Sequence, residues 1–270
     1  MGEDGAITQE AASPLQGRVA IVTGGSRGIG REVALHLASL GASLVLNYAS
    51  NSAQADLLAS QLNSSSSSCQ QSRPRAIAVG ADVSDPDQVK LLFDRAEEEF
   101  DSKVHILVNC AGVLNPKYPP LAETTPEEWD ATFSVNTRGA FLCCREAANR
   151  MARGGGGRII LVSSSLVGSL LPGYSAYTAS KAAVETMTKI LAKELRGTSI
   201  TANCVAPGPI ATDMFFAGKT DEMVKRFADA SPLGRLGETK DIAALVGFLA
   251  TDAAEWINGQ IIRVNGGGVI

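Results

Sequence analysis

Arg18-Val19-Ala20-Ile21-Val22-Thr23, running into Gly24-Gly25-Ser26-Arg27-Gly28-Ile29-Gly30, is the stretch on which the fold turns. A β-branched apolar run of this length is a buried strand. The glycines after it make a turn, and Val33, Leu37 and Leu40 then recur at helical spacing until Gly41 stops the helix. Gly24, Gly28 and Gly30 let the chain reverse tightly and bring its backbone close to a pyrophosphate, which would sit on the positive end of the helix. A glycine-rich turn alone is weak evidence, but strand, turn and helix in this order point to a dinucleotide site. The spacing is Gly-x-x-x-Gly-x-Gly and not the more familiar Gly-x-Gly-x-x-Gly.

The same alternation continues outward. Strands are expected over 43–46, 76–79, 106–109, 158–162, 200–205 and 260–264. Helices are expected over 53–62, 86–100, 126–153, from before Tyr177 to about Leu195, and over 240–249. Strands that are continuous apolar runs, separated by amphipathic helices, mean a parallel sheet covered on both faces. The expected architecture is therefore α/β: a Rossmann-type, doubly wound, roughly seven-stranded parallel sheet forming one domain over 17–270. A loose tail is expected over 1–16. A serine-rich loop is expected over 63–72, where Ser64 to Ser68 form a low-complexity run.

Composition narrows the function classes. At 270 residues, 45% hydrophobic and net charge −4, the chain has ample core for one large domain and no basic stripe for nucleic acid. Its five cysteines, Cys69, Cys110, Cys143, Cys144 and Cys204, show no metal spacing, so no metal is expected. No apolar run is long enough to span a membrane. The acidic start resembles neither a signal nor a transit peptide, and Ala6 breaks the myristoylation pattern. These features suggest a soluble, cytoplasmic protein and leave a plastid location open.

The chemistry is carried by Ser175-Ala176-Tyr177-Thr178-Ala179-Ser180-Lys181. Tyr177 and Lys181 share one face of a helix. A phenol of pKa about 10 is a poor proton carrier at neutral pH, and an adjacent ammonium would lower that value. The bland reading, an exposed lysine lying over a packed tyrosine, loses ground only because of the surrounding motifs.

Those motifs resemble the short-chain dehydrogenase/reductase family from about Gly17 to the C-terminus. Thr23-Gly24-x-x-x-Gly28-x-Gly30 matches its cofactor turn, with Ser26, Arg27 and Ile29 inside it. Asp82-Val83 matches the pair beside the adenine. Asn109-Cys110-Ala111-Gly112 matches its Asn-Asn-Ala-Gly motif, with Cys110 in place of the second asparagine. Asn136 matches a helix asparagine that holds a water in the proton path. Pro207-Gly208, Ile210 and Thr212 match the segment packed on the nicotinamide. The resemblance implies hydride transfer between a nicotinamide and a carbonyl carbon. Tyr177 would be the acid, Lys181 would lower its pKa and bind the ribose, and a serine beside Tyr177 would hold the substrate oxygen. Counting from Gly157-Arg158 and back from Tyr177 selects Ser164, which is taken as that serine, whereas a Ser-x-x-Gly pattern ending at Gly168 would select Ser165.

NADP is expected over NAD. The second strand ends in Asn47-Tyr48-Ala49-Ser50-Asn51, without the carboxylate that would grip ribose hydroxyls and repel a 2′-phosphate, while Arg27 supplies a cation. The family also implies a mobile substrate lid over about 210–235, although Met214-Phe215-Phe216 within it reads equally well as core or as dimer surface. Leu114, Tyr118, Leu166, Val167 and Tyr174 could line the pocket, with Met214 and Phe215 in the lid. They offer no cationic clamp, which favours a small or lipophilic aldehyde or ketone. His36 and His105 have no partner motif and are expected to be outside the chemistry. Two other readings stand beside this one. A 3-oxoacyl-acyl-carrier-protein reductase would need basic residues at the site mouth, for which Arg138 and Arg145 are candidates. A catalytically inactive NADP-binding regulatory protein would usually lack Tyr177 or Lys181. The family habit is a homo-oligomer, a dimer or tetramer.

Overall fold

The structure, a computed structural model, describes residues 13–64 and 74–270. In chain order its elements are β1 (Val19–Thr23), α1 (Gly28–Ser39), β2 (Ser43–Tyr48), α2 (Ser52–Ser64), β3 (Ala76–Gly80), α3 (Pro86–Phe100) and β4 (Ile106–Asn109). Then come α4 (Pro126–Phe133), α5 (Ala140–Arg150), β5 (Arg158–Val162), α6 (Leu166–Ser169), α7 (Ser175–Glu194), β6 (Thr201–Pro207), α8 (Asp213–Phe216), α9 (Asp221–Ala230), α10 (Thr239–Ala250) and β7 (Ile261–Val264). The strands form one sheet in the order β3-β2-β1-β4-β5-β6-β7, with every neighbouring pair parallel. The order reverses between β1 and β4, and this switch point opens the crevice in which such sheets bind ligands.

Strand residues alternate between the two faces of a sheet, and here both faces are buried. Ile21 enters a core with Leu92, Phe93 and Leu107 beneath α3, α5 and α7. Ala20 and Val22 enter the opposite core with Val33, Leu37 and Val246 beneath α1 and α10. Strands buried on both sides have no polar face to show, hence their unbroken apolar sequences.

Several boundaries differ from the sequence reading. The segment before β1 is anchored from at least Pro14: Leu15 is fully buried and its N–H bonds the Leu40 carbonyl at 2.9 Å. The rest of the expected tail, 1–12, lies outside the described residues. Asn63 and Ser64 belong to α2, not to a loop, and Asn63 Oδ1 accepts from the N–H groups of Arg75 and Ala76 at 2.8 and 2.9 Å. The remainder of the serine-rich segment also lies outside the described residues. The expected helix over 126–153 is real but contains a π-helical turn, Ser134–Gly139, and stops at Arg150. Gly139 ends this turn against β3–α3: a Cβ there would stand 2.7 Å from Val83 Cγ2, so only glycine fits. Within the segment expected to be a lid lie two helices, α8 and α9, which the sequence reading did not resolve. No helix among the described residues is long and apolar enough to cross a membrane.

His105, expected to be outside the chemistry, ties together the starts of the two central strands, β1 and β4. Its Nδ1 accepts the Val19 N–H at 3.1 Å, so the ring must be neutral there. Burial, helped by the Arg18 guanidinium, holds its pKa below the ordinary value of about 6.5. The unfolded chain takes up this proton below about pH 6.5 while the folded chain resists it, so its contribution is full above that pH and is lost as pH falls. Urea unfolding at pH 7.5 and 5.5 will show the loss, and His105→Gln will lose less over the same interval. Equal losses in the two proteins would remove His105 as the cause. The carboxylates with lowered pKa, Asp85, Asp94, Glu128 and Asp241, titrate below this window.

Candidate active site

The carboxyl ends of the strands open into one cleft of about 910 Å³. Its first half is built by the β1–α1 turn. Gly24 has φ +62°, and a Cβ at Gly30 would stand 2.3 Å from the Gly24 carbonyl oxygen, so only glycine lets the helix start this close to the turn. The Gly25 N–H bonds the Asn47 carbonyl at 2.9 Å and ties the turn to β2. Helix α1 begins at Gly28, with Arg27 as an N-cap residue that gives no side-chain cap and with no acidic residue in its first turn. By contrast, Asp85 caps α3 and Thr125 caps α4. The first N–H groups of α1 therefore keep their capacity for an anion, and the helix dipole favours one there. This donor set fits a dinucleotide pyrophosphate.

Ser26, Arg27, Ile29, Tyr48, Ala49, Ser50, Asn51, Asp82 and Val83 border this half with the three glycines. Arg27 and Ser50 are exposed, and no carboxylate pairs with Arg27 among the described residues. Ala111, Gly112, Pro207, Gly208, Ile210 and Thr212 continue the wall toward the centre of the cleft. Two expected cofactor residues have other duties. Asn47 reaches the cleft edge, but its amide is buried and donates to the carbonyls of Val79 and Ala81 at 3.3 and 2.9 Å. Asn109 is not part of the wall: its Oδ1 accepts from Thr23 Oγ1 at 3.2 Å, and Thr23 in turn accepts the Ala111 N–H at 3.1 Å. Both asparagines brace the loops instead of offering side chains to a ligand, because a buried amide must find backbone partners.

At the centre stand Tyr177 and Lys181, from the first turns of α7, and the serines that follow β5. Ser164 stands beside Tyr177 and acts on its phenol, and its Oγ accepts the Leu166 N–H at 3.2 Å. Ser163 instead donates to Glu185 at 2.8 Å, and Ser165 to the Ala206 carbonyl at 3.1 Å while accepting from Asn265. Of the three serines, Ser164 is the one beside the phenol. Lys181 is 3% exposed, lies 5.7 Å from the Tyr177 ring centroid and donates to the Val162 carbonyl at 2.8 Å. Asn136 sits within the π turn, fully buried. Its Oδ1 accepts the Val113 N–H at 2.8 Å, and its Nδ2 donates to the Val113 carbonyl and to Ser180 Oγ. A Cβ at Gly112 would lie 3.3 Å from Asn136 Oδ1 and 3.5 Å from Lys181 Nζ, which places the asparagine and the ammonium against the same face of this backbone.

One expectation is overturned here. Lys181 does not lower the Tyr177 pKa in this geometry; burial pushes the phenol up to about 12, opposed only by the nearby Ser164 hydroxyl. Burial also lowers the pKa of Lys181. Desolvation outweighs attraction because the ammonium is turned to a carbonyl and not to the phenol oxygen. The phenol is thus protonated at neutral pH, which is the form that can give a proton away.

The far half is walled by Leu114, Leu166, Tyr174, Met214 and Phe215, with Phe227 added by α9, whereas Tyr118 and Val167, also expected here, do not border the cleft. The expected absence of a cation is wrong: Lys219 also lines this half. A lysine among the charges of residues 219–226 reads as a solvated face, and nothing in its sequence neighbourhood signals otherwise. Asn265 and Val269, brought in by the C-terminus, were likewise unsignalled.

A glycine turn on an uncapped helix, joined to a tyrosine–serine pair at the switch point of a parallel sheet, defines a nicotinamide-dependent oxidoreductase. The chain belongs to the short-chain dehydrogenase/reductase family. The family model described as "Enoyl-(Acyl carrier protein) reductase" matches residues 24–268. The chain is 64% identical to an NADPH-dependent aldehyde reductase-like protein, chloroplastic, of Arabidopsis thaliana, over 94% of this chain and 95% of that one. It is 56% identical to NADPH-dependent aldehyde reductase 2, chloroplastic, of the same plant, over 97% and 98%. Among solved structures, a short-chain dehydrogenase from Burkholderia cenocepacia in complex with NADP superposes with a TM-score of 0.86 at 35% identity, covering 94% of this chain and 99% of that one.

Proposed function

We propose that this protein is an NADPH-dependent reductase of small or lipophilic aldehydes and ketones. The observation that carries the proposal is the Tyr177 phenol standing beside Ser164 and Lys181 at the centre of a cleft, one half of which fits a dinucleotide. Bound NADPH supplies hydride to the carbonyl carbon. Ser164 and Tyr177 are hydroxyl donors that hold the carbonyl oxygen, so the charge developing on it meets two hydrogen bonds already in place. Tyr177 then gives up its proton to that oxygen. Lys181 and Asn136, on the same face of Gly112, are positioned to return a proton to Tyr177 through water, and Lys181 to hold the ribose. The apolar residues of the far half exclude water and accept an alkyl or aryl substituent.

Purified protein mixed with NADPH and a panel of aldehydes, ketones and one 3-oxoacyl-acyl-carrier substrate tests the reading by nicotinamide absorbance. Turnover of aldehydes with NADPH, faster than with NADH, is expected. Exclusive turnover of the carrier-bound substrate would replace this proposal with the acyl-carrier reading. Neither Arg138 nor Arg145 borders the cleft, so those two do not build the basic mouth that such a partner would meet. Phe141, on α5, is an exposed aromatic side chain that suits a homo-oligomeric contact, which light scattering will read as a multiple of the chain mass. Because the relatives above carry chloroplastic names, we place the protein in a plastid and not in the cytosol; imaging of a fluorescent fusion tests this.

A further inference from the structure

We infer that Lys219 is a specificity-determining positioning residue: it fastens the segment carrying Phe215 and Phe227 over the substrate half, and thereby favours bulky aromatic carbonyl compounds over short ones. The inference rests on the reductase reading and deepens it.

Lys219 Nζ donates to Tyr118 Oη at 2.5 Å and to the Phe215 carbonyl at 2.7 Å, and Tyr118 Oη donates onward to the Ala217 carbonyl at 2.7 Å. The same ammonium lies 4.4 Å from the ring centroid of Tyr118, 4.7 Å from that of Phe215, and 5.9 Å from those of Tyr174 and Phe227. Each distance is within the range over which a cation is attracted to a ring face. Four rings around one ammonium, two of them 101 and 45 positions upstream, join three separate pieces of chain: the loop after β4, the start of α7, and the segment of α8 and α9. Tyr118 and Tyr174 are also in mutual ring contact at 4.9 Å, three residues before Tyr177. The latch therefore reaches the catalytic helix itself.

The backbone is built for this close contact. Gly218 has φ +72°, and a Cβ there would stand 2.1 Å from the Pro116 carbonyl oxygen. Tyr118 itself has φ +52°, a conformation a bulky residue adopts only where its surroundings impose it. Burial lowers the pKa of Lys219, so the ammonium has given up solvent that its partners must replace.

A short aldehyde is held mainly at its reacting end, by Ser164 and Tyr177. A large aromatic aldehyde also needs Leu166, Met214, Phe215 and Phe227 held as a wall. Lys219→Met keeps the length of the side chain and removes the charge and its donors. With 2-naphthaldehyde its KM will rise about tenfold, the scale of one partly desolvated cation–π site, with kcat changed less than about twofold. With propanal, kcat/KM will stay within about twofold, as will the Kd for NADPH, since neither touches the box. Lys219→Arg, which keeps the charge, will recover most of the 2-naphthaldehyde KM. Equal losses for both aldehydes, or no change for 2-naphthaldehyde, would overturn the inference. Hydrogen–deuterium exchange over 213–230 reads the latch without turnover: it will be faster in Lys219→Met, and unchanged exchange overturns the latch whatever the enzyme reduces. Wild-type protein inert toward both aldehydes would instead refute the reductase reading.

Discussion

Tyr177→Phe will fold, bind NADPH and lose about 10²–10⁴ in kcat, the range that one positioned proton donor contributes. Phenylalanine keeps the ring and its packing, so the melting temperature will move little. Ser164 Oγ keeps its bond from the Leu166 N–H, so no buried hydroxyl is orphaned by the change. Cofactor affinity, read by NADPH fluorescence, will stay within about twofold, because the lost hydroxyl lies at the substrate end of the cleft and distant sites act independently. Wild-type-like turnover in this variant would remove Tyr177 from the chemistry. The pH profile tests the electrostatics separately. With the phenol pushed up to about 12, the acid form persists across neutral pH, so reductive kcat/KM will not decline between pH 6 and 9 through loss of the Tyr177 proton. A decline centred near pH 7 that disappears in Lys181→Met would show that the ammonium prevails over burial in the working enzyme.

Arg27→Glu will lower kcat/KM with NADPH by about 100-fold and leave the value with NADH within about threefold. A hundredfold is about 2.7 kcal/mol, within the range of about 1.5–3 kcal/mol for a hydrogen bond to a charged group, and the new carboxylate adds repulsion. Arg27 is exposed at the first turn of α1 and borders the cleft, opposite a lip made of Tyr48, Ala49, Ser50 and Asn51 with no acidic side chain. A 2′-phosphate on the cofactor ribose is the feature that separates NADPH from NADH, so only NADPH should register the change of charge. Equal losses with both cofactors would mean that Arg27 holds the shared pyrophosphate or the turn itself. No loss would move the phosphate site to Ser50 and Asn51.

The site was legible in unequal parts. The glycine turn declares itself locally, since glycine adopts φ +62° at Gly24 without strain and only glycine allows a 2.3 Å approach at Gly30. Tyr177 and Lys181 are visible because a helix puts positions four apart on one face. Asn47 and Asn109 fell at the right places in the motifs, yet their side chains face inward to backbone and to Thr23. Motif position says where a residue lies along a strand end and cannot say which way its amide finds partners. Lys219 was invisible for a different reason: its ring partners Tyr118 and Tyr174 are far away in sequence, and no local pattern links them to it.

By itself, the sequence determined the alternation of strands and helices, the parallel sheet, the nicotinamide site and its preference for a 2′-phosphate. These follow from periodicity, glycine stereochemistry and the sign of charges, which act over a few residues. Only the tertiary structure decided which of three serines meets Tyr177, that burial and not Lys181 sets the phenol's protonation, and that a lysine is enclosed by four rings at the substrate end. Those outcomes depend on desolvation and on contacts between distant segments, and both exist only once the chain has closed around them.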